Sequence, residues 1–283
     1  MKSFCIKTNN EDILDYLLSR TKEIDFEDLT YCKNEFKIYQ NVMIHYQGKD
    51  EASFSYFLSE LLTEVILEFY EEKLIYQILN YNYFYFDEYE RLRICDNCKD
   101  AVENEEITAK SRKEIIQKAL LLYIQEQKAM ILEGFVNFRL QEYMSYLDNT
   151  IDTCVNQFII EKEYNEFISL LKIYIDSKPA ECEILHLIYI NGESILLDKE
   201  KNIVSVSENI YNAKYLSDIS FSSNDFALNT LLSLLPAKIE IHVIGLEDEF
   251  IDTIKQIFEG RISVCKDCNI CRTYRLLNHA KIK

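Results

Sequence analysis

The chain holds only five glycines in 283 residues: Gly48, Gly134, Gly192, Gly245 and Gly260. It holds two prolines, Pro179 and Pro236. This scarcity restricts which backbone devices the chain can build. A dinucleotide fingerprint needs three closely spaced glycines, so that the backbone can approach a pyrophosphate. A P-loop needs two glycines just before Lys-Ser/Thr. A nucleophile elbow needs Gly-x-Ser-x-Gly. The closest glycine pair here, Gly245 and Gly260, satisfies none of these. The common glycine-dependent routes to nucleotide binding and hydrolysis are therefore closed.

Charge narrows the field further. The chain has 48 acids and 31 bases, for a net charge of −17. Binding to nucleic acid relies on Lys and Arg displacing counterions from phosphates, so no general nucleic-acid role is expected. A short basic group at the C-terminus, Lys266, Arg272, Arg275, Lys281 and Lys283, reads as a solvated segment balancing an acidic body. Residues 1–10 lack an apolar stretch followed by a cleavage site, and no run approaches the ~18 apolar residues of a membrane span. The expectation is a cytoplasmic protein without membrane insertion. Nine cysteines then read as thiols or metal ligands, not as a disulfide framework.

Hydrophobic periodicity divides the chain. Even-numbered apolar residues from Phe36 to Tyr46 suggest one or two strands. Helical spacing follows in Phe54, Leu58, Leu61, Leu62, Val65 and Phe69, with Ser53 as a candidate cap. The cluster Tyr81, Tyr83, Phe84, Tyr85 and Phe86 reads first as packing at a helix junction, with a partner surface as the alternative. Asp87 with Glu90 and Ser111 with Glu114 are capping-box signatures. Ile116, Leu120, Tyr123, Ile124 and Ile131 extend a helical stripe, and further helices run to Pro179. Beyond it, Asn191-Gly192 marks a hairpin, and Ile239–Ile244, Leu246–Phe258 and Arg261–Val264 read as strand, helix and strand. The expected fold is α+β: a helix-rich body over residues 1–179 with a short N-terminal β element, and an α/β domain over 180–283 with a β-hairpin, a βαβ unit and a cysteine-rich tail.

The tail carries the sharpest chemical signal, Cys265-Lys266-Asp267-Cys268-Asn269-Ile270-Cys271. Two residues between cysteines bring their sulfurs to the separation of ligands on one ion. The candidate metal ligands are Cys265, Cys268 and Cys271, with Cys98, Cys95 or His279 as a fourth. Zinc suits such thiolates, an iron–sulfur cluster uses related spacing, and a thiol–disulfide role or plain thiols remain open. His186 and His242 lie within strand patterns and read as sheet-face residues. Glu240 and His242 share a face and form a weak acid–base candidate without a third member.

One central stretch runs Glu133-Gly134-Phe135-Val136-Asn137-Phe138-Arg139-Leu140-Gln141-Glu142-Tyr143, followed by Glu161-Lys162-Glu163-Tyr164-Asn165-Glu166-Phe167-Ile168-Ser169-Leu170-Leu171-Lys172. It resembles the YtxC-like family, whose members are labelled sporulation proteins of endospore-forming Gram-positive bacteria. The hairpin after Pro179 and the cysteines Cys265, Cys268 and Cys271 also fit that resemblance, whereas Cys95 and Cys98 are not matched to it. The resemblance implies a cytosolic protein of spore formers and transfers no catalytic residue, cofactor or partner. Within the stretch, Phe135, Phe138 and Leu140 would anchor a helix. Arg139 would pair with an acid such as Glu163 or serve as a candidate interaction residue. Two expectations result: a non-enzymatic accessory factor with a protein partner, or a metalloprotein built on the tail cysteines.

Overall fold

A computed structural model describes residues 2–23, 28–36, 39–104, 112–204 and 222–281, with the side chains of 278–281 outside the description. The chain forms two compact units, Met1–Ile160 and Glu161–Lys283. Both pair helices with a four-stranded sheet, in agreement with the expected helix-rich α+β class.

The first unit begins with β1 (Lys2–Thr8), α1 (Glu11–Glu23), β2 (Leu29–Glu35) and β3 (Gln40–Tyr46). Helices α2 (Glu51–Phe69), α3 (Glu71–Asn82), α4 (Glu88–Glu103) and α5 (Arg112–Glu126) follow, then β4 (Ala129–Ile131), α6 (Leu132–Arg139) and α7 (Gln141–Asp176). The sheet order is β2-β3-β1-β4. Asp50, not Ser53, caps α2, accepting from the N–H groups of Ala52 and Ser53. The Asp87/Glu90 capping box forms as expected, whereas Ser111 lies outside the described residues. Ile131 leaves the expected helical stripe because 129–131 pairs with β1 as a parallel edge strand. The aromatic run divides: Phe86 enters the core, while Tyr81, Phe84 and Tyr85 are exposed. The core also takes in a buried polar group. Tyr143 donates its hydroxyl to Glu71, which Arg112 also meets. Burial raises the Glu71 carboxyl above its ordinary value, against the pull of Tyr143 and Arg112.

The second unit contains the rest of α7, then β5 (Cys182–Ile190), β6 (Glu193–Leu197), α8 (Ser223–Leu234), β7 (Pro236–Ile244), α9 (Glu249–Ile257), β8 (Ile262–Val264) and α10 (Asn269–Lys281). The Asn191-Gly192 turn closes the β5–β6 hairpin, with φ of 52° and 84°. Glycine takes this left-handed region without a Cβ penalty, and asparagine tolerates it. The sheet order is β6-β5-β7-β8, with β5, β7 and β8 parallel. Strand alternation gives the sheet two unequal faces. Leu185, Leu187, Tyr189, Ile239 and Ile241 pack with residues of α7, α8 and α9, including Ile168, Ile175, Leu231 and Ile254, and with Phe258 just after α9. On the opposite face, among the described residues, Ile188, Leu197, Ile244 and Ile270 form a small buried cluster. Ile270 belongs to α10, so this thin face is where the tail cysteines meet the sheet.

Candidate metal centre

Strand register assembles the site. Parallel pairing sets Ile241 opposite Val264, so the next residues, His242 and Cys265, arrive side by side as β8 ends. The Cys265 N–H donates to the Ile241 carbonyl at 2.9 Å and holds the exit from β8 against β7. The chain then turns through Lys266 and Asp267. Asp267 meets Arg272 and Arg275, each at 3.3 Å, bracing this turn against α10. Cys268 precedes α10, and Cys271 lies in its first turn.

Four donor atoms converge here. Cys268 Sγ and Cys271 Sγ lie 3.5 and 3.4 Å from His242 Nδ1. The Cys268–Cys271 and Cys271–Cys265 sulfur separations are 3.8 and 3.9 Å. A tetrahedron with Zn–S of ~2.3 Å and Zn–N of ~2.05 Å has edges of about 3.8 Å between sulfurs and about 3.6 Å from sulfur to nitrogen. The four observed separations follow those edges. All four donors fall within 4.8 Å of one another. His242 and Cys271 are buried, while Cys265 and Cys268 are half-buried.

The electrostatics suit a cation. Burial lowers the His242 pKa below its ordinary value, with Glu240 opposing and His186 reinforcing, which favours the neutral ring a metal needs. Burial and the neighbouring thiols push Cys265 up to about 12. Burial also acts to raise Cys268, but the N–H groups of Cys271 and Ile270 and the adjacent thiols outweigh it, and its pKa falls below the ordinary thiol value. The thiols thus share protons that a metal would displace.

The three tail cysteines named from spacing therefore come together, and the fourth donor beside them is His242. Cys95 and Cys98 instead lie in the first unit's hydrophobic core. Contact with Cys154, then burial, raises Cys98 strongly, the behaviour of an inert thiol. His279 lies outside the described side chains. Motif spacing missed His242 because its role depends on strand register; the β7–β8 pairing was the signal that could have revealed it. In the central motif, Phe135 and Leu140 are buried as anchors, but Phe138 is 73% exposed. Arg139 is exposed, and with Phe138 it lines two shallow grooves of about 450 and 330 Å³.

Fold and site define a two-unit α+β protein whose second unit presents a Cys3His donor set. The sequence profile of the YtxC-like family matches residues 56–263, well over half of the chain, and the chain belongs to that family. The matched span includes His186, Glu240 and His242 and ends before Cys265. The chain is also similar to the Uncharacterized protein YtxC of Bacillus subtilis (strain 168), with 22% identity over 214 residues, covering 74% of this chain and 76% of that protein. No solved structure matches the chain. Among the described residues, no helix is long and apolar enough to cross a membrane.

Proposed function

We propose that this protein is a zinc-binding accessory factor. Cys265, Cys268, Cys271 and His242 hold one zinc ion that fastens α10 to the thin face of the second sheet. The observation that carries this reading is the tetrahedral spacing of the four donors. Four protein ligands close the coordination shell and leave no position for a reacting water, which favours a structural ion over a catalytic one. The spacing also favours a single ion over an iron–sulfur cluster, whose several iron atoms hold cysteine sulfurs further apart.

The wider role we propose is non-enzymatic and cytoplasmic, during spore formation, through a protein partner. Its support is the family membership, the net acidic charge and the exposed aromatic side chains Tyr81, Phe84, Tyr85 and Tyr89. Binding to nucleic acid and insertion into membrane form no part of it. A pull-down from sporulating cells tests the partner: a reproducible protein supports it, and none recovered, with monomeric behaviour at high concentration, refutes it.

The metal is tested by elemental analysis and absorption spectroscopy of protein purified without oxygen, beside Cys268→Ser and Cys271→Ser. About one zinc per colourless chain, lost in both variants, is the expected result. Iron with sulfide and a brown colour moves the reading to redox sensing or electron transfer. No metal in any form refutes it.

A further inference from the structure

His242 has two ring nitrogens, and the zinc reading uses only one. If Nδ1 binds the metal, Nε2 of the neutral ring must carry the proton. His242 is 1% exposed, so that proton needs a protein acceptor. The atom facing Nε2 is His186 Nδ1, at 3.1 Å. His186 is itself buried, on β5, directly opposite Glu240 in the parallel register. A Glu240 oxygen lies 3.3 Å from the same His186 nitrogen. Glu240 is the more accessible of the two, with 29% of its side chain exposed.

We propose that His186 is a positioning residue for the metal centre: by accepting the Nε2 proton of His242 it fixes the tautomer and ring orientation that aim Nδ1 at the three thiols. The Glu240 carboxylate lies against the accepting nitrogen of His186, and its negative charge favours keeping the shared proton between the two rings. This inference rests on the zinc reading above. In this state His242 carries its proton on Nε2, His186 accepts at Nδ1 with its remaining proton on its own Nε2, and Glu240 receives no hydrogen bond from His186 Nδ1 and acts by charge alone. The same three side chains do not hold a second ion alongside the first, because both nitrogens of His242 would have to act as lone-pair donors. That requires an imidazolate. Three thiolates are the stronger competitors for a zinc-like ion. Partners of this kind hold a ligating histidine in place, and their loss typically weakens metal binding by roughly 10- to 100-fold.

The experiment measures zinc affinity by competition with a chelator of known strength, in wild type, His186→Ala, His186→Gln, Glu240→Gln and Cys271→Ser. His186→Ala should weaken binding by roughly 10- to 100-fold, and His186→Gln, whose amide oxygen can accept the same proton, should restore most of it. Glu240→Gln should have the smaller effect. Thermal unfolding of the metal-free forms should be alike in wild type and His186→Ala, separating positioning from general packing. Nitrogen-15 NMR of the loaded wild type should show the His242 proton on Nε2. Equal affinity in wild type and His186→Ala overturns this proposal alone. So does a second zinc equivalent that disappears in His186→Ala. A wild type that binds no zinc overturns the reading beneath it.

Discussion

Removing the metal should free α10 while leaving the rest of the second unit folded. The estimate starts from the thin sheet face. Among the described residues, Ile188, Leu197, Ile244 and Ile270 are its buried apolar cluster. At roughly 1.5–3 kcal/mol each, their burial contributes about 6–12 kcal/mol. Helix α10 has 13 residues. Fixing a backbone residue costs roughly 1–2 kcal/mol, so ordering this helix costs about 13–26 kcal/mol. Apolar contact alone falls short of the ordering cost by about 1–20 kcal/mol, a span that includes the ~10–16 kcal/mol that a structural zinc supplies in small domains. On the zinc reading, the metal therefore decides whether α10 docks. The assay is amide hydrogen exchange on the zinc-loaded protein, the chelated protein and Cys271→Ser. In the loaded form α10 should be protected. In the other two its amides should exchange rapidly, while β5 and β7 stay slow because the opposite face retains its own core. Equal protection of α10 with and without metal would refute the reasoning, since the small cluster would then be holding the helix unaided.

Three further outcomes test the physics of each unit. Leu187→Ala, at a fully buried site in the central strand β5, should destabilise the protein by about 2–5 kcal/mol in urea unfolding. Tyr143→Phe leaves one oxygen of buried Glu71 without its donor and should cost roughly 1–3 kcal/mol in the same assay. The hydroxyl of Tyr189 holds the Asp248 carboxyl below its ordinary value, with burial opposing. Because that pKa is depressed in the folded state, the stabilisation is present above the ordinary carboxylate pKa and is lost as pH falls through the depressed value. Tyr189→Phe should therefore be less stable than wild type at neutral pH, with the difference closing in strong acid. A difference that is constant with pH would assign the effect to packing.

Much of the second unit was legible because its signals are local. Asn191-Gly192 specifies a turn with positive φ at both positions, and Pro236 follows the left-handed residue Leu235 that stops α8. The runs Ile239–Ile244 and Arg261–Val264 carry strand patterns that need no knowledge of their neighbours. The first unit was harder. Leu29–Glu35 is a strand of mostly exposed polar residues, so neither alternation nor apolar content announces it; its pairing with β3 holds it in the sheet. The edge strand β4 has only three residues and was absorbed into a helical stripe. The aromatic run from Tyr81 to Phe86 looked like core because periodicity does not tell which rings face water.

The metal centre divides along the same line. Cys265, Cys268 and Cys271 stand within one turn's reach, so spacing alone exposes them. His242 is separated from them by a helix and a strand, and it becomes a donor only because β7 and β8 run parallel in a register that sets Ile241 against Val264. A shift of one residue would turn His242 toward the core of α8 and α9 and bring Ile241 or Val243 to the thiols, since neighbouring strand residues face opposite sides. The register is held by the large apolar face, where Ile239 and Ile241 are fully buried. The thick core thus determines the geometry of the centre on the thin face. A core substitution such as Ile241→Ala should therefore weaken zinc binding as well as stability, although Ile241 supplies no ligand atom. Its effect on stability should be of the order of 2–5 kcal/mol. Chelator competition on the fraction still folded reads the first effect, and unchanged affinity there would show that the ligands hold their own register.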